Sequence, residues 1–156
     1  MSPEAQQSRQ VPATTEHDHG APSPANGTNL AAEFQAAVSQ YLIRHRSILD
    51  ILAKLQETSA RVQRAVSRAV TECGCLEVHA QRQQIPPGIS YWEMRDHVST
   101  HLNGSLCEQC REVLEMELGH NLFYFTALCE ALNLQSDAIL RQEMKRVTTL
   151  GVFNLT

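Results

Sequence analysis

The sequence predicts an all-α fold, a bundle of four to five helices behind a disordered N-terminal tail. Three observations carry this. From Leu30 to Cys73 there is neither glycine nor proline. Apolar residues recur at intervals of three and four through most of the chain, the spacing of one face of a helix. No segment shows the strict alternation of a half-buried strand, although Leu76 and Val78 could form a brief extended piece. The 156 residues suit one domain, here residues 29–156, with residues 1–28 as the tail.

Met1 to Gly27 is rich in Pro, Ser, Thr, Gln, Ala and Gly and nearly free of large apolar groups. Such a segment cannot bury enough surface to offset its conformational entropy. Its Glu16-His17-Asp18-His19 stretch could hold a metal weakly, but a solvated tail is the plainer reading. The first helix is expected over Leu30–Arg44, with Phe34, Val38, Tyr41 and Leu42 on one face. The second opens at Ser47, with Asp50 as a weak capping-box variant. Its seam is Ile48, Leu52, Leu55, Ser59, Val62, Val66, Ala69 and Cys73, alternating four and three, as in a helix laid along a partner helix. Gly74 ends it.

Cys75 to Gly88 reads as a connection, since Pro86-Pro87-Gly88 forbids helix there. Ser90-Tyr-Trp-Glu93 is a capping box that starts a short helix to about His101, and Asn103-Gly104 breaks it. A fourth helix is expected over Leu106–Leu132. Its apolar stripe is Val113, Leu114, Leu118, Leu122, Phe125, Cys129 and Leu132, and Asn133 is its left-handed terminator. Ser136 is expected to cap a last helix with Ile139, Leu140, Met144 and Val147 facing inward. Thr148 to Thr156 reads as a tail docked through Leu150, Val152 and Phe153.

Composition excludes some functions. Net charge is −4 with no long basic block, which argues against general nucleic-acid or membrane-surface binding. No apolar run approaches a membrane span, and MSPEAQQSRQ lacks the basic and apolar regions of a secretory signal. The expected location is cytoplasmic. In a reducing compartment, the five cysteines point to metal binding or redox chemistry rather than a disulfide framework.

Cys73-Gly-Cys75 closes the long second helix, and Cys107-Glu-Gln-Cys110 opens the fourth. Together they offer four thiolates, enough for a closed tetrahedral zinc site. Gly74 lets the chain curl so that both of its neighbouring thiols face one point. Thiols three apart on a first helical turn converge, and a helix N-terminus favours the thiolate. The spacing between the pairs is longer than in common zinc ribbons. A redox role for Cys107 and Cys110 and plain burial of small residues stay open beside it. His97 and His101, with Asp96, form a rival zinc pair that Cys107 and Cys110 could complete. Cys129 reads as core. Tyr91 and Trp92 read as packing rather than a base-stacking platform.

The stretch Glu117-Leu-Gly-His-Asn-Leu-Phe-Tyr124, continuing Phe125-Thr-Ala-Leu-Cys-Glu-Ala-Leu-Asn-Leu134, resembles the second metal-binding helix of the MazG-like nucleotide pyrophosphohydrolases. That helix carries Glu-x-x-Asp before a hydrophobic run. Gln56-Glu-Thr-Ser-Ala60 stands where the family has Glu-Glu-x-x-Glu. The resemblance spans roughly Ser47 to Val147. It implies two facing helices whose carboxylates hold magnesium, which binds substrate phosphates and activates a water. The product would be a nucleoside monophosphate and pyrophosphate. It also implies a homodimer and a bound nucleotide. Gln56 and Ala60 replace Glu, and His120 replaces Asp, so only Glu57 and Glu117 match the family's acidic pattern. Histidine is a poor magnesium ligand but suits zinc.

Three functions follow as expectations. The first is a catalytically weak or inactive MazG-like module that binds a nucleotide or protein partner and holds structural zinc. The second is an active nucleoside triphosphate pyrophosphohydrolase with Glu57, Glu117 and His120 as catalytic residues. There, Glu57 and Glu117 hold magnesium, and Glu108, Glu112 or Glu115 completes the site. The third is a thiol or zinc sensor. Against all three, Glu57 and Glu117 could simply be polar residues satisfied by Arg61, Arg64 or His120.

Overall fold

A computed structural model describes residues 29–151. The tail with its Glu16–His19 stretch, and Val152 and Phe153, lie outside the described residues. The described chain runs α1 (Leu30–Tyr41), α2 (Ile48–Arg68), a π-helical turn (Ala69–Cys73), β1 (Leu76–Val78), α3 (Tyr91–His97), β2 (Leu102–Gly104), α4 (Glu108–Ala131) and α5 (Ser136–Leu150). The fold is all-α, with one small two-stranded antiparallel sheet. Among the described residues, no helix is long and apolar enough to cross a membrane.

The frame is the antiparallel pair α2/α4. Ile51 and Ala127 are fully buried where α2 starts and α4 ends. Val38 of α1 joins them, and Leu42, Phe123, Tyr124 and Leu128 pack around this centre. Farther along the pair, Asn121 Nδ2 donates to Thr58 Oγ1 at 3.1 Å and to Ser59 Oγ at 2.9 Å. Buried amides need such partners, so this bond ties the two helices in register. Sequence reasoning missed Asn121, whose signal was a lone amide inside an apolar run.

Polar side chains dock α5 onto α1. The Gln35 amide nitrogen donates to Glu130 Oε2 at 3.1 Å and to the Leu134 carbonyl at 2.8 Å. Its oxygen accepts from the Ser136 backbone N–H at 2.8 Å. Ser136 is therefore the first helical residue, held by Gln35, and Gln135 takes the cap position. Asn133, at φ +54, closes α4 as expected. Leu134 N–H bonds the Cys129 carbonyl at 2.8 Å and Asn133 N–H bonds that of Glu130 at 3.1 Å, the two bonds of a Schellman cap.

Several expectations are corrected. α1 stops at Tyr41, three residues early, because Leu42 leaves the helix and turns onto the core. Ser47 caps α2 by backbone geometry alone, with no side-chain bond. The third helix ends at His97, not His101. Its expected last turn leads instead into β2, which pairs antiparallel with β1 (Leu76↔Gly104, Glu77↔Asn103, Val78↔Leu102). Three-residue strands are too short for alternation to register. α5 continues through Thr148 to Leu150, where a tail is expected to start. Leu140, Met144 and Val147 are exposed rather than inward-facing, as are Val113, Leu118, Leu122 and Leu132 of α4. On α2, burial falls on Ile51, Thr58 and Ala69 rather than on the whole expected seam, which leaves Leu52 and Val66 exposed.

The capping box at Ser90 is present with both bonds. Ser90→Ala should cost about 1 kcal/mol of helix stability. Because α3 buries none of its residues, the loss should appear as faster amide exchange over residues 91–94, with the global melting midpoint nearly unchanged.

Candidate metal centre

The four paired cysteines meet at one point. Their sulfurs all lie within 4.8 Å of one another. Among the described residues, no other group of three or more His, Cys, Asp or Glu converges this way. Three devices deliver them. The π turn widens the end of α2 so that Cys73 faces α4. Gly74 follows at φ +70, a left-handed conformation open to glycine, and reverses the chain to aim Cys75 back. Cys107 occupies the N-cap of α4, and its sulfur accepts the Cys110 backbone N–H at 3.5 Å.

The antiparallel β1/β2 pair brings the two halves together. Gly104 sits at φ +84 opposite Leu76, and a Cβ there would lie 2.5 Å from the Cys75 carbonyl oxygen. Only glycine permits that approach. Gly104→Ala should destabilise the chain by about 2 kcal/mol and weaken metal affinity at least tenfold by displacing Cys75. Thermal unfolding and a competitive zinc titration measure the two effects.

Cys73 Sγ and Cys107 Sγ are 3.7 Å apart. Disulfide sulfurs sit at about 2.05 Å. A tetrahedron with Zn–S bonds of about 2.3 Å has edges of about 3.8 Å. The Cys73–Cys107 separation is that of unbonded thiols and is close to one edge of such a tetrahedron, and all five cysteines are free. The Cys107 thiol is drawn down to about 7, first by the Cys110 backbone N–H and then by the Cys110 and Cys73 thiols. Cys110 is pushed up to about 12, chiefly by Cys107 beside it and then by Cys73. The cluster thus gives up its first proton at Cys107 and resists further charge, which is how clustered thiols behave before a cation enters. Cys129 is buried and its thiol is raised by desolvation, as a core residue should be.

The rival histidine pair is not assembled. His97 is the last residue of α3, and His101 lies beyond it at φ +58, with its ring nitrogen 3.2 Å from Gln83 Nε2. The helical face that would pair them does not exist. Trp92 is exposed, and its ring lies beside Gly151.

Glu57 and Glu117 do line one groove between α2 and α4, of about 410 Å³, together with Ala60, Arg61, Arg64, Ala65, Arg68 and Val113. Glu57 is already engaged, by Lys54 at 2.7 Å and Arg61 at 2.6 Å, and Lys54 first and Arg61 second hold its carboxyl below the usual range. Glu117 Oε2 is buried without a hydrogen-bond partner, and His120 Nδ1 stands 3.6 Å away. His120 is not part of the groove lining, and Glu108, Glu112 and Glu115 are exposed on α4 away from it. The groove therefore carries three guanidinium groups beside two carboxylates, with Arg61 paired to Glu57 and Arg68 to Glu72.

Compared with protein-family models, characterised proteins and solved structures, the chain matches none.

Proposed function

We propose that this chain is a zinc-stapled helical binding module, with Cys73, Cys75, Cys107 and Cys110 as the four ligands of one structural zinc. The observation that carries this is the convergence of four sulfurs from two distant pairs. A four-thiolate set favours zinc over magnesium, which takes oxygen ligands. A site with four protein ligands has no open position for substrate, so the metal's role is to hold structure. Metal analysis of chain purified without chelator should give one zinc per chain, and Cys110→Ser should abolish it. Zinc below a tenth of an equivalent would end the proposal.

The arginine groove favours a second element of the same reading. In it, the module is a catalytically weak relative of the MazG-like enzymes that keeps a nucleotide site but not the magnesium cage. Arg64, flanked by Arg61 and Arg68 in their pairs with Glu57 and Glu72, suits a phosphate oxygen. Glu57, tied to Lys54 and Arg61, is poorly placed to serve magnesium.

The exposed Leu118, Leu122 and Phe125, four and three apart on α4, support self-association as a homodimer. Sedimentation equilibrium should give a dimer that Leu122→Glu converts to monomer, and a monomeric parent chain would contradict it.

A further inference from the structure

The four clustered sulfurs are not equally open to solvent. Cys73 is exposed, whereas Cys75, Cys107 and Cys110 are half-buried. A groove of about 390 Å³, lined in part by Cys73 and Cys110, leads from the α2/α4 surface to the cluster. A small polar molecule therefore reaches Cys73 first. The fifth thiol, Cys129, is buried and does not line that groove.

The neighbours of the Cys73 sulfur also differ. Cys107 Sγ lies 3.7 Å from it, across 34 positions of sequence. Cys75 is separated from it only by Gly74, and its own sulfur is turned to the Ala69 carbonyl, 3.7 Å away. Closing Cys73 onto Cys107 takes an approach of roughly 1.7 Å, which rotation of an exposed side chain can supply. Such a bond would join the π turn after α2 to the N-cap of α4. A zinc held by all four sulfurs closes the same loop, the stretch that carries β1, α3 and β2. A cross-link across a loop stabilises mainly by restricting the unfolded chain. One restraint can therefore replace the other while the β1/β2 pairing and the Ile51 core stay as they are.

We propose that Cys73 and Cys107 form a peroxide-reactive disulfide site, whose oxidation expels the zinc and leaves a covalent staple in its place. The exchange rests on the zinc reading above for the metal and on the 3.7 Å contact for the bond. In the loaded centre both sulfurs are thiolates, because a metal-bound thiol is deprotonated. The Cys73 thiolate attacks one oxygen of hydrogen peroxide, the O–O bond breaks, hydroxide leaves, and Cys73 becomes a sulfenic acid. The Cys107 thiolate then attacks the Cys73 sulfur, the S–O bond breaks, and a second hydroxide leaves. Two electrons pass from the two sulfurs to the peroxide, and two protons from water convert both hydroxides to water. The zinc, left with Cys75 and Cys110, has lost its closed shell and leaves as the dication. A dithiol reductant returns the two electrons and restores both thiols for zinc.

The test treats the full chain, its zinc counted beforehand, with hydrogen peroxide. Zinc release is followed with a chromogenic indicator, and disulfides are mapped by mass spectrometry. One zinc should be released for each Cys73–Cys107 bond formed, and dithiothreitol with added zinc should restore the loaded chain. The oxidised, zinc-free chain should regain at least half of the melting shift that a chelator causes in the reduced chain. Cys110→Ser, which holds no zinc, should still form the Cys73–Cys107 bond. Any other pairing as the main product, Cys107 with Cys110 included, overturns the assignment. An oxidised chain that melts with or below the chelated one overturns the staple. A chain without zinc before peroxide overturns the zinc reading and the exchange with it, whereas a loaded chain that forms the bond and keeps its zinc overturns the exchange alone.

Discussion

Cys107→Ser should release the metal and lower the melting midpoint by roughly 10–20 °C, the loss expected when a ligand far above its dissociation constant is removed from a small domain. A chelator should do the same to the parent chain and have no further effect on the variant. Cys107 is the choice because it does two jobs. Its sulfur caps α4, and it is the thiol drawn down to about 7. Metal affinity should accordingly fall as pH drops through about 7. Below that value the cation must also displace the Cys107 proton. Differential scanning calorimetry with and without chelator, and zinc affinity measured across pH 6 to 8, check the two statements. A variant that melts with the parent chain and keeps its zinc would show that Cys107 is not a ligand.

Ile51→Ala should destabilise the chain by about 3 kcal/mol while leaving metal content intact. Ile51 has no exposed surface and packs at the centre of the only closed core among the described residues, with Val38 and Ala127. Truncating a buried isoleucine removes transfer energy and leaves a cavity. The neighbours here are Phe123, Tyr124 and Leu128, held between helices, so collapse into the space is limited. Because Ile51 sits at the opposite end of α2 from the sulfurs, its effect should add to that of Gly104→Ala rather than couple with it. Urea unfolding of the two single variants and the double variant, with zinc counted in each, measures this. Loss of zinc in Ile51→Ala would mean that the two ends form one cooperative unit.

The helices were legible in the sequence because their signals are local. The Gly- and Pro-free stretch to Cys73, the Ser90 capping box, Gly74 and Asn133 each specify their own backbone, and each was placed to within a few residues. Which face each helix buries was less legible. The four-three seam on α2 contains the right residue types, but burial falls on Ile51 and Thr58, one position off the expected stripe at each point. That choice is made by α4 and by Asn121 across the gap, through contacts over sixty residues distant in sequence. A broad apolar surface on α4 is left exposed for the same reason, since periodicity shows that a face is apolar but not what covers it.

The candidate site divides in the same way. The cysteine pairs were legible because each is a short motif at a helix end, and a glycine or a first helical turn makes thiols converge. What the sequence did not show was the strand pair that brings the cysteines together, since it depends on Gly104 meeting Cys75 across two three-residue strands. The acidic motif was legible only as a spacing. Its surroundings come from Arg61, Arg64 and Arg68, whose positions on the groove face become visible only when α2 lies against α4. Three arginines line the groove beside the two glutamates, and two of them pair with Glu57 and Glu72.

X-ray absorption at the zinc edge of the purified chain tests most directly whether four sulfurs surround one zinc ion. Four sulfur neighbours at about 2.3 Å, with no nitrogen or oxygen in the shell, is the expected result. A shell containing nitrogen or oxygen, or fewer than four sulfurs, would contradict it.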